Sequence, residues 1–246
     1  MEYGKEYFQN IRPHILKNHI TTENSVTEQI LSEQNIPSVN SKVNSNSNEK
    51  MNISDYMVAF SGQTNSFCIG IVDMVESTKI SARLPVGKLG KYYQIFLNTM
   101  ADTLSRFGGR VIKNIGDSLL FYFPASAKGR KYGFMSCLEG CLEMVDIHDY
   151  VCACAKNEGL PCINYRISCD YGPVVMMKSG ENTTDMLGPP LNMCAKINHF
   201  AQENRFVIGA DLYEMVKKID GYSFSSSKSY RSDQKFQYSV YDVTRR

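Results

Sequence analysis

The order of apolar segments after Asn65 constrains the fold more than any other feature of the sequence. An apolar run that ends in an acid, residues 67–73, predicts a buried strand. Apolar residues at helical spacing over residues 88–107 predict an amphipathic helix. Two strands joined by a tight turn follow, then a long helical segment and another strand. This strand-helix-strand-strand-helix-strand order predicts an α+β fold with a ferredoxin-like core and additional strands and helices.

The same patterns give bounds for the other segments. Further strands are predicted at residues 110–115, 118–123, 163–170, 206–208, 224–227 and 236–243. Further helices are predicted at residues 127–157, 190–202 and 211–218. Residues 172–188 are polar at their centre, and we expect them to be irregular.

The composition of the chain changes sharply near Asn65. Residues 1–64 hold two possible short helices, and a polar run over residues 40–52 has the composition of a linker. We therefore predict an N-terminal helical segment with a linker over residues 1–64, of unknown function, and a folded domain over residues 65–246.

The charge and hydropathy of the chain exclude two classes of partner. A net charge of +2 and a pI near 8.0 lack the basic excess of nucleic-acid-binding proteins, so we expect no nucleic-acid partner. No run approaches the ~18 apolar residues that cross a bilayer. The N-terminus also lacks the apolar run of a signal peptide. The sequence thus predicts a cytoplasmic protein with no membrane span.

The cysteines form no recognisable ligand or disulfide pattern. There is no C-x-x-C sequence, and none of the eight has zinc-finger spacing to a histidine. We interpret them as small buried hydrophobic residues in a reducing compartment. The histidines are scattered, and we expect His148 to be a surface or core residue without a partner.

Asp73 ends the first strand, and a turn that contains serine and threonine opens a helix after it. A carboxylate in this place can bind a hard cation such as Mg²⁺, although it can also serve only as a helix N-cap. The backbone amides of the helix start can hold phosphate oxygens. The residues that carry this second prediction are Met74, Val75, Glu76, Ser77 and Thr78.

Asp117 lies in the tight turn of the predicted hairpin, in the sequence Lys113-Asn-Ile-Gly-Asp117. Pairing of the central strands would bring it close to Asp73. Two carboxylates in one place repel each other unless a cation joins them. This arrangement predicts a metal pair suited to in-line attack at phosphorus, whereas the plain alternative is that Gly116-Asp117 is only a turn.

A third segment makes the pattern specific. Asp185, Gly188 and Asn192 form a D-x-x-G-x-x-x-N sequence at the entry of a helix. With the strand that ends at Asp73 and the Gly-Asp hairpin before it, this segment resembles the catalytic domain of class III adenylate/guanylate cyclases. The resemblance covers residues 65–243 and leaves about the first 60 residues unexplained.

The resemblance implies roles for four of these residues. Asp73 and Asp117 match the aspartates that bind two metal ions, Mg²⁺ or Mn²⁺. Lys113 and Asp185 match the pair that reads the base. A lysine can donate to N1 of adenine, and an aspartate can accept from its 6-amino group, so ATP is favoured over GTP.

The resemblance also implies roles for the last helix entry. Asn192 matches the asparagine that orients the ribose, and Lys196 stands where the family usually has an arginine that stabilises the pentavalent phosphate. Lysine keeps the charge but loses the bidentate geometry, which predicts weakened activity if transition-state stabilisation rests on this residue. The residues that could contact the terminal phosphates are Lys228, Arg231 and Lys235.

The mechanism that the resemblance implies needs a homodimer. One protomer supplies the metal-binding aspartates, and the other supplies the residues that contact the base and the ribose. The 3′-hydroxyl of ATP attacks the α-phosphorus, and pyrophosphate leaves. Residues 172–188 resemble the arm that crosses to the partner, although an exposed loop would have the same polar composition.

Three other functions compete with an active adenylate cyclase. The first is a degenerate cyclase that binds nucleotide as a regulatory dimer module, which Lys196 favours and the intact Asp73 and Asp117 disfavour. The second is a diguanylate cyclase, but its GG[DE]EF hairpin is missing. The third is a ferredoxin-like interaction domain without a site.

Overall fold

A computed structural model describes residues 58–179, 183–231 and 237–246. The predicted N-terminal helices and linker lie outside these ranges, and the division of the chain at residue 65 stays a prediction. Residues 51–246 form one compact unit. Among the described helices, none is both long enough and apolar enough to cross a membrane.

The described strands form one mixed sheet in the order β2-β3-β1-β4-β6-β8-β7, with β5 paired to β4. β4 and β6 are parallel, and the other pairs are antiparallel. The strands are β1 (Val58–Met74), β2 (Arg110–Ile115), β3 (Ser118–Phe123), β4 (Tyr165–Ser179), β5 (Thr183–Leu187), β6 (Arg205–Gly209), β7 (Tyr222–Arg231) and β8 (Gln237–Arg245).

Helices lie between these strands, and the α+β fold predicted from the sequence is confirmed. The helices are α1 (Ser77–Ser81), α2 (Val86–Arg106), α3 (Lys131–Asp146), α4 (His148–Asn157), α5 (Pro189–Asn198) and α6 (Ala210–Val216), with a 3₁₀ turn at Pro124–Gly129.

Three predictions for the elements were wrong. The first strand begins at Val58 rather than at residue 67. The predicted helix over residues 127–157 is interrupted at Ile147, between α3 and α4, where neither glycine nor proline marks the break. Residues 172–188 are largely regular, because β4 and β5 pair as an antiparallel hairpin that places Met177 opposite Asp185.

β1 lies at the centre of the sheet and is buried on both faces. Its odd-numbered residues Phe67, Ile69 and Ile71 pack in a cluster with Cys194 of α5. Its even-numbered residues face the opposite side of the sheet, because successive side chains of a strand alternate. Burial on both faces explains why residues 67–73 read as a continuous apolar run rather than an alternating one.

Gly70 occupies the middle of β1, where two neighbouring side chains fill the space above it. A Cβ at this position would overlap the ring of Phe121 and the sulfur of Cys169. Phe121 and Cys169 are themselves fully buried. Only a residue without a side chain therefore allows β3 and β4 to pack across β1 in this way.

α5 is fixed to the sheet by buried hydrogen bonds. The amide group of Asn198 donates to the carbonyl oxygens of Ile71 (3.4 Å) and Arg166 (3.3 Å) and to Ser168 Oγ (3.2 Å). The hydroxyl of Ser168 donates to the carbonyl of Cys194 on α5 (3.0 Å). Because these groups are buried, each bond avoids the cost of an unsatisfied polar atom, and together they fix the rotation of the helix.

Most of the cysteines match the prediction of small buried side chains. Cys137 and Cys141 of α3 pack against Cys169 of β4, and the sulfurs of Cys141 and Cys169 are 3.4 Å apart. Burial raises the pKa of all three thiols well above the ordinary value. They are therefore protonated and act as core residues.

Two cysteines depart from that prediction. Cys152 and Cys162 form a disulfide, and His148 lies next to both sulfurs. The interpretation of all eight cysteines as small buried hydrophobic residues therefore fails for this pair, and the expectation that His148 has no partner was wrong. The pattern was missed because Cys162 lies beyond the end of α4, so that helical spacing does not relate it to His148.

Candidate active site

The strand register brings Asp73 and Asp117 together. β1 and β3 pair with Asp73 opposite Ser118, and the turn between β2 and β3 presents Asp117 next to Ser118. The hydroxyl of Ser118 donates a hydrogen bond to Oδ1 of Asp73. Both carboxylates, called here the acid pair, are partly accessible to solvent at this end of the sheet.

The environment of the acid pair suits a divalent cation. The pKa of Asp73 is raised above its ordinary value, chiefly by burial and also by the charge of Asp117. The hydrogen bond from Ser118 and the charges of His199 and Arg166 lower this pKa but do not cancel the rise. A cation between the two carboxylates would remove their repulsion, and carboxylate oxygens are the ligands that Mg²⁺ and Mn²⁺ prefer.

The turn after Asp73 has an unusual backbone conformation. Glu76 precedes α1 with a φ of 56°, in the left-handed region that costs a residue with a side chain about 1 kcal/mol. The amide of Val75 donates to the carbonyl of Asn164 (2.8 Å), and the Met74 and Val75 side chains are buried. Ser77 and Thr78 then form the first turn of α1, where amides have no partner within the helix. A role for these five residues in binding phosphate stays a prediction.

Lys113 and Asp185 meet across the edge of the sheet. Nζ of Lys113 on β2 forms an ion pair with Oδ2 of Asp185 on β5, although 72 positions separate the two residues in the sequence. Oδ1 of Asp185 accepts the amide hydrogen of Met186 (2.8 Å), which orients the carboxylate. The lysine side chain is 43% exposed, so the pair adds at most about 1 kcal/mol to stability. Its significance is that it places a half-exposed donor next to a largely buried acceptor.

Asn192 and Lys196, called here the helix pair, lie one turn apart on the exposed face of α5. Cys194 and Ile197 form the opposite, buried face. In the part of the chain that the structure describes, Asn192 makes no hydrogen bond to either member of the acid pair. Of the predicted contacts to the terminal phosphates, Lys228 and Arg231 lie on β7, whereas Lys235 lies outside the described residues.

No protein-family model matches the chain, but two curated bacterial proteins resemble it. It is 34% identical over 153 residues to an adenylate cyclase of Streptomyces coelicolor, which covers 62% of this chain and 35% of that protein. It is 26% identical over 134 residues to an adenylate cyclase of Glutamicibacter nicotianae, covering 54% and 28%. The chain thus spans about a third of the length of these relatives.

Solved structures that resemble this chain in fold are also cyclases. The adenylyl cyclase CyaB of P. aeruginosa superposes with a TM-score of 0.66 at 16% identity, over 75% of this chain and 96% of that one. The guanylate cyclase domain of RhGC from Catenaria anguillulae, solved with GTP, gives 0.63 at 17% identity, over 75% and 100%. The chain has the class III nucleotidyl cyclase fold. The resemblance inferred from its motifs is confirmed.

Within this cyclase fold, the sequence motifs missed three residues next to the acid pair. Ser118 follows Asp117 directly, so its position in the hairpin could have indicated it. Arg166 lies opposite Asp73 in the ladder between β1 and β4, and His199 caps the C-terminus of α5. The contacts of these two depend on distant parts of the chain, and no local pattern predicts them.

The edge of the cyclase fold that carries Lys113 and Asp185 also exposes apolar surface. Ile115 of β2 is 50% exposed, and Leu187 of β5 is 48% exposed. Each is two residues along its strand from a member of the ion pair, and alternation places it on the same face as that member. Exposed apolar side chains of this kind are available to an interface.

Proposed function

We propose that this chain is an adenylate cyclase, which converts ATP to 3′,5′-cyclic AMP and pyrophosphate. The 3′-oxygen bonds to the α-phosphorus and loses its proton, and the bond from the α-phosphorus to the oxygen that bridges it to the β-phosphorus breaks. The observation that carries this proposal is the juxtaposition of Asp73 and Asp117, with the raised pKa of Asp73, on a cyclase fold.

In this proposal the acid pair holds two divalent cations, Mg²⁺ or Mn²⁺. The bound cations would supply positive charge that favours ionisation of the 3′-hydroxyl and offsets the charge of the leaving pyrophosphate. Ser118 holds the Asp73 carboxylate in place through its hydrogen bond. The positive charges near Asp73 include that of Arg166, which favours the ionised carboxylate that a metal requires.

The preference for ATP rests on Lys113 and Asp185. Their ion pair places a donor and an acceptor side by side, and adenine presents the complementary acceptor N1 and donor 6-amino group. Guanine presents the opposite pattern at these positions. The solved structures that resemble the chain include both adenylyl and guanylyl cyclases, so the fold does not select the base, and the proposal assigns that selection to these two side chains.

We propose that the active form is a homodimer, in which the helix pair of one protomer faces the acid pair of its partner. Asn192 and Lys196 are exposed on α5, where a second copy can reach them. The exposed Ile115 and Leu187 offer apolar area for such an interface. The substrate also fits the cytoplasmic location that the sequence predicts.

Lys196 is the residue that favours a second function. If a lysine cannot replace the arginine of the family, the domain binds nucleotide without turnover and serves as a regulatory module. We favour the active enzyme, because Asp73 and Asp117 are both present and close to each other, and a domain that only binds nucleotide has less need of both.

The test is a cyclase assay on the purified chain with ATP or GTP, in Mg²⁺ or Mn²⁺, and with the product identified by mass spectrometry. Asp73→Ala is expected to lower the rate about a thousandfold. Asp220→Ala, an exposed aspartate in the turn before β7, at the opposite edge of the sheet from the β2–β3 hairpin, is the matched control and should leave the rate unchanged. Cyclic GMP as the main product would refute the adenine preference. Nucleotide binding without any cyclic product would favour the regulatory module.

A further inference from the structure

His148, Cys152 and Cys162 form a cluster, named here the thiol site, that the cyclase reaction does not use. Nε2 of His148 is 3.4 Å from Sγ of Cys152 and 3.8 Å from Sγ of Cys162. The two Cα atoms are 4.4 Å apart, within the range of disulfides, and the structure joins the sulfurs. Cys152 lies one turn after His148 on α4, and Cys162 lies in the loop before β4.

The thiol site has the features of a reactive pair. Cys162 is partly exposed, so a small molecule can reach its sulfur. The imidazole of His148 can take the proton of either thiol, and as an imidazolium it stabilises the thiolate. The core thiols of Cys137 and Cys141 differ in both respects, because they are fully buried and burial raises their pKa. Reactivity is thus expected at one of the two cysteine clusters.

The thiol site is connected to the turn after Asp73 through one residue, Asn164. Oδ1 of Asn164 lies 3.0 Å from Nε2 of His148, and it accepts a hydrogen bond from Asn204 (3.0 Å). The carbonyl oxygen of Asn164 accepts the amide hydrogen of Val75 (2.8 Å). Asn164 follows Cys162 by two residues, so a displacement of the loop at Cys162 is passed to the backbone two residues after Asp73.

We propose that Cys152 and Cys162 are a reversible thiol–disulfide exchange site for low-molecular-weight disulfides, with His148 as its base. His148 takes the proton of Cys162, whose thiolate attacks one sulfur of a disulfide RSSR; the S–S bond of RSSR breaks, and the leaving thiolate takes the proton from His148 as RSH. His148 then takes the proton of Cys152, whose sulfur attacks Sγ of Cys162 in the mixed disulfide; the bond from Cys162 to the SR group breaks, and this group leaves with the proton as the second RSH. Two protein thiols are oxidised to one disulfide, and RSSR is reduced to two RSH.

The redox state of this site controls the turn after Asp73. With the disulfide formed, the loop at Cys162 is tied to α4, which holds Asn164 against Val75. With the thiols reduced, His148 is free to bond a thiolate instead of Asn164, and the Val75–Asn164 bond weakens. An effect on cyclase activity rests on the proposed function, whereas the exchange chemistry and the backbone change do not.

The chemistry is tested without any nucleotide. The full chain is reduced, freed of reductant and incubated with oxidised glutathione, and its disulfides are mapped by mass spectrometry after alkylation of the remaining thiols. We expect a Cys152–Cys162 bond within minutes and alkylation of Cys154. Absence of this bond, or its formation at the buried cysteines instead, would overturn the proposal.

Three variants separate the roles within the site. Cys152→Ser is expected to stop at a glutathione adduct on Cys162, because the second sulfur is missing. His148→Gln should slow disulfide formation about tenfold near pH 7, since the thiolate fraction falls when the imidazole is removed. Cys154→Ser is the matched control, as it lies on α4 only two residues from Cys152 and should behave as wild type. An unchanged rate in His148→Gln would remove that residue from the mechanism.

Metal content distinguishes the main alternative. One histidine and two cysteines can also bind zinc, so the reduced protein is dialysed against zinc and the bound metal is counted. We expect Cys154→Ser and Cys152→Ser to retain equally little zinc. One zinc per chain that Cys152→Ser loses would make this a metal site and refute the proposal.

The coupling is measured by hydrogen–deuterium exchange of the peptide that contains Val75, in oxidised and reduced protein. Exchange about tenfold faster after reduction is expected, because the hydrogen bond to Asn164 weakens. Equal exchange in both forms would refute the coupling even if the disulfide forms. Loss of cyclase activity in both forms would count against the proposed function alone.

Discussion

The acid pair and the helix pair belong to one candidate site, but different kinds of contact hold them in position. Asp73 and Asp117 are positioned within the chain, by the register of β1 and β3 and by the hydrogen bond from Ser118. Asn192 and Lys196 are positioned by the opposite, buried face of their helix and are themselves exposed. In the proposed enzyme, one chain therefore completes the metal-binding half, whereas the other half is presented outward for a partner.

This difference is tested most strongly by mixing two inactive variants. If the halves meet across a dimer, Asp73→Ala and Asn192→Ala protomers together form one intact site in each mixed dimer. Equal mixing makes half of the dimers mixed, so activity should return to about a quarter of the wild-type rate. Each variant alone should stay near the background. Asp73→Ala mixed with Asp117→Ala is the control, because both changes lie in the same half. No recovery in the first mixture would show that the halves act within one chain.

Lys113 and Asp185, the pair proposed to contact the base, give the next largest effect. Lys113→Glu combined with Asp185→Cys reverses the pattern of donor and acceptor, so the ratio of cyclic AMP to cyclic GMP should fall about a hundredfold. The product ratio is measured with equal ATP and GTP. Lys217→Glu with Glu214→Cys, which alters an exposed ion pair on α6 in the same way, is the control. A ratio that falls equally in both variants would indicate general damage rather than base recognition.

Substitutions on the two faces of α5 should affect different properties, stability on the buried face and activity on the exposed face. Asn198→Ala removes three hydrogen bonds, two of them buried, and should lower the free energy of unfolding by about 2 kcal/mol, measured by urea denaturation. Asn192→Ala, on the exposed face, should change it by less than about 0.5 kcal/mol while abolishing activity. If Asn192→Ala were as destabilising as Asn198→Ala, its loss of activity could not be assigned to contact with substrate.

The smallest of the expected effects is on the cyclisation rate, after a substitution at Lys196. Lys196→Arg supplies the bidentate donor and should raise the cyclisation rate about tenfold with little change in KM. Lys218→Arg, at an exposed position beyond α6, should leave the rate unchanged. A lower rate in Lys196→Arg would indicate that the surroundings of this position have adapted to lysine.

The sequence predicted the parts of the fold that local patterns determine. The hairpin of β2 and β3 was predicted to the residue, because two short apolar strands flank a Gly-Asp turn. The β4–β5 hairpin was missed, since the polar residues at its centre give no strand signal. The break at Ile147 was missed for the opposite reason, as apolar residues continue on both sides of it.

Like the elements of the fold, the residues of the candidate site fall into those that local sequence patterns predict and those that they do not. Among the residues named from motifs, Asp73, Asp117 and Asn192 lie at a strand end, in a turn and near a helix start, where a few neighbouring positions fix the geometry. Arg166, Asn164 and His199 reach the turn around Asp73 only because β1, β4 and α5 pack together. The pairing of Cys152 with Cys162 is likewise a tertiary contact. Such neighbours follow from the assembled fold and not from any local run of residues.

Gly70 shows that a position can be closed to mutation without touching any reactant. Alanine, the smallest possible replacement, already collides with the Phe121 ring and the Cys169 sulfur. Neither obstacle is backbone, but both side chains stand in the way, so a tolerated change at Gly70 requires both of them to shift or to become smaller. This chain can therefore vary at its centre only through combined substitutions, in which room is made at Phe121 and at Cys169 before a side chain is added at Gly70.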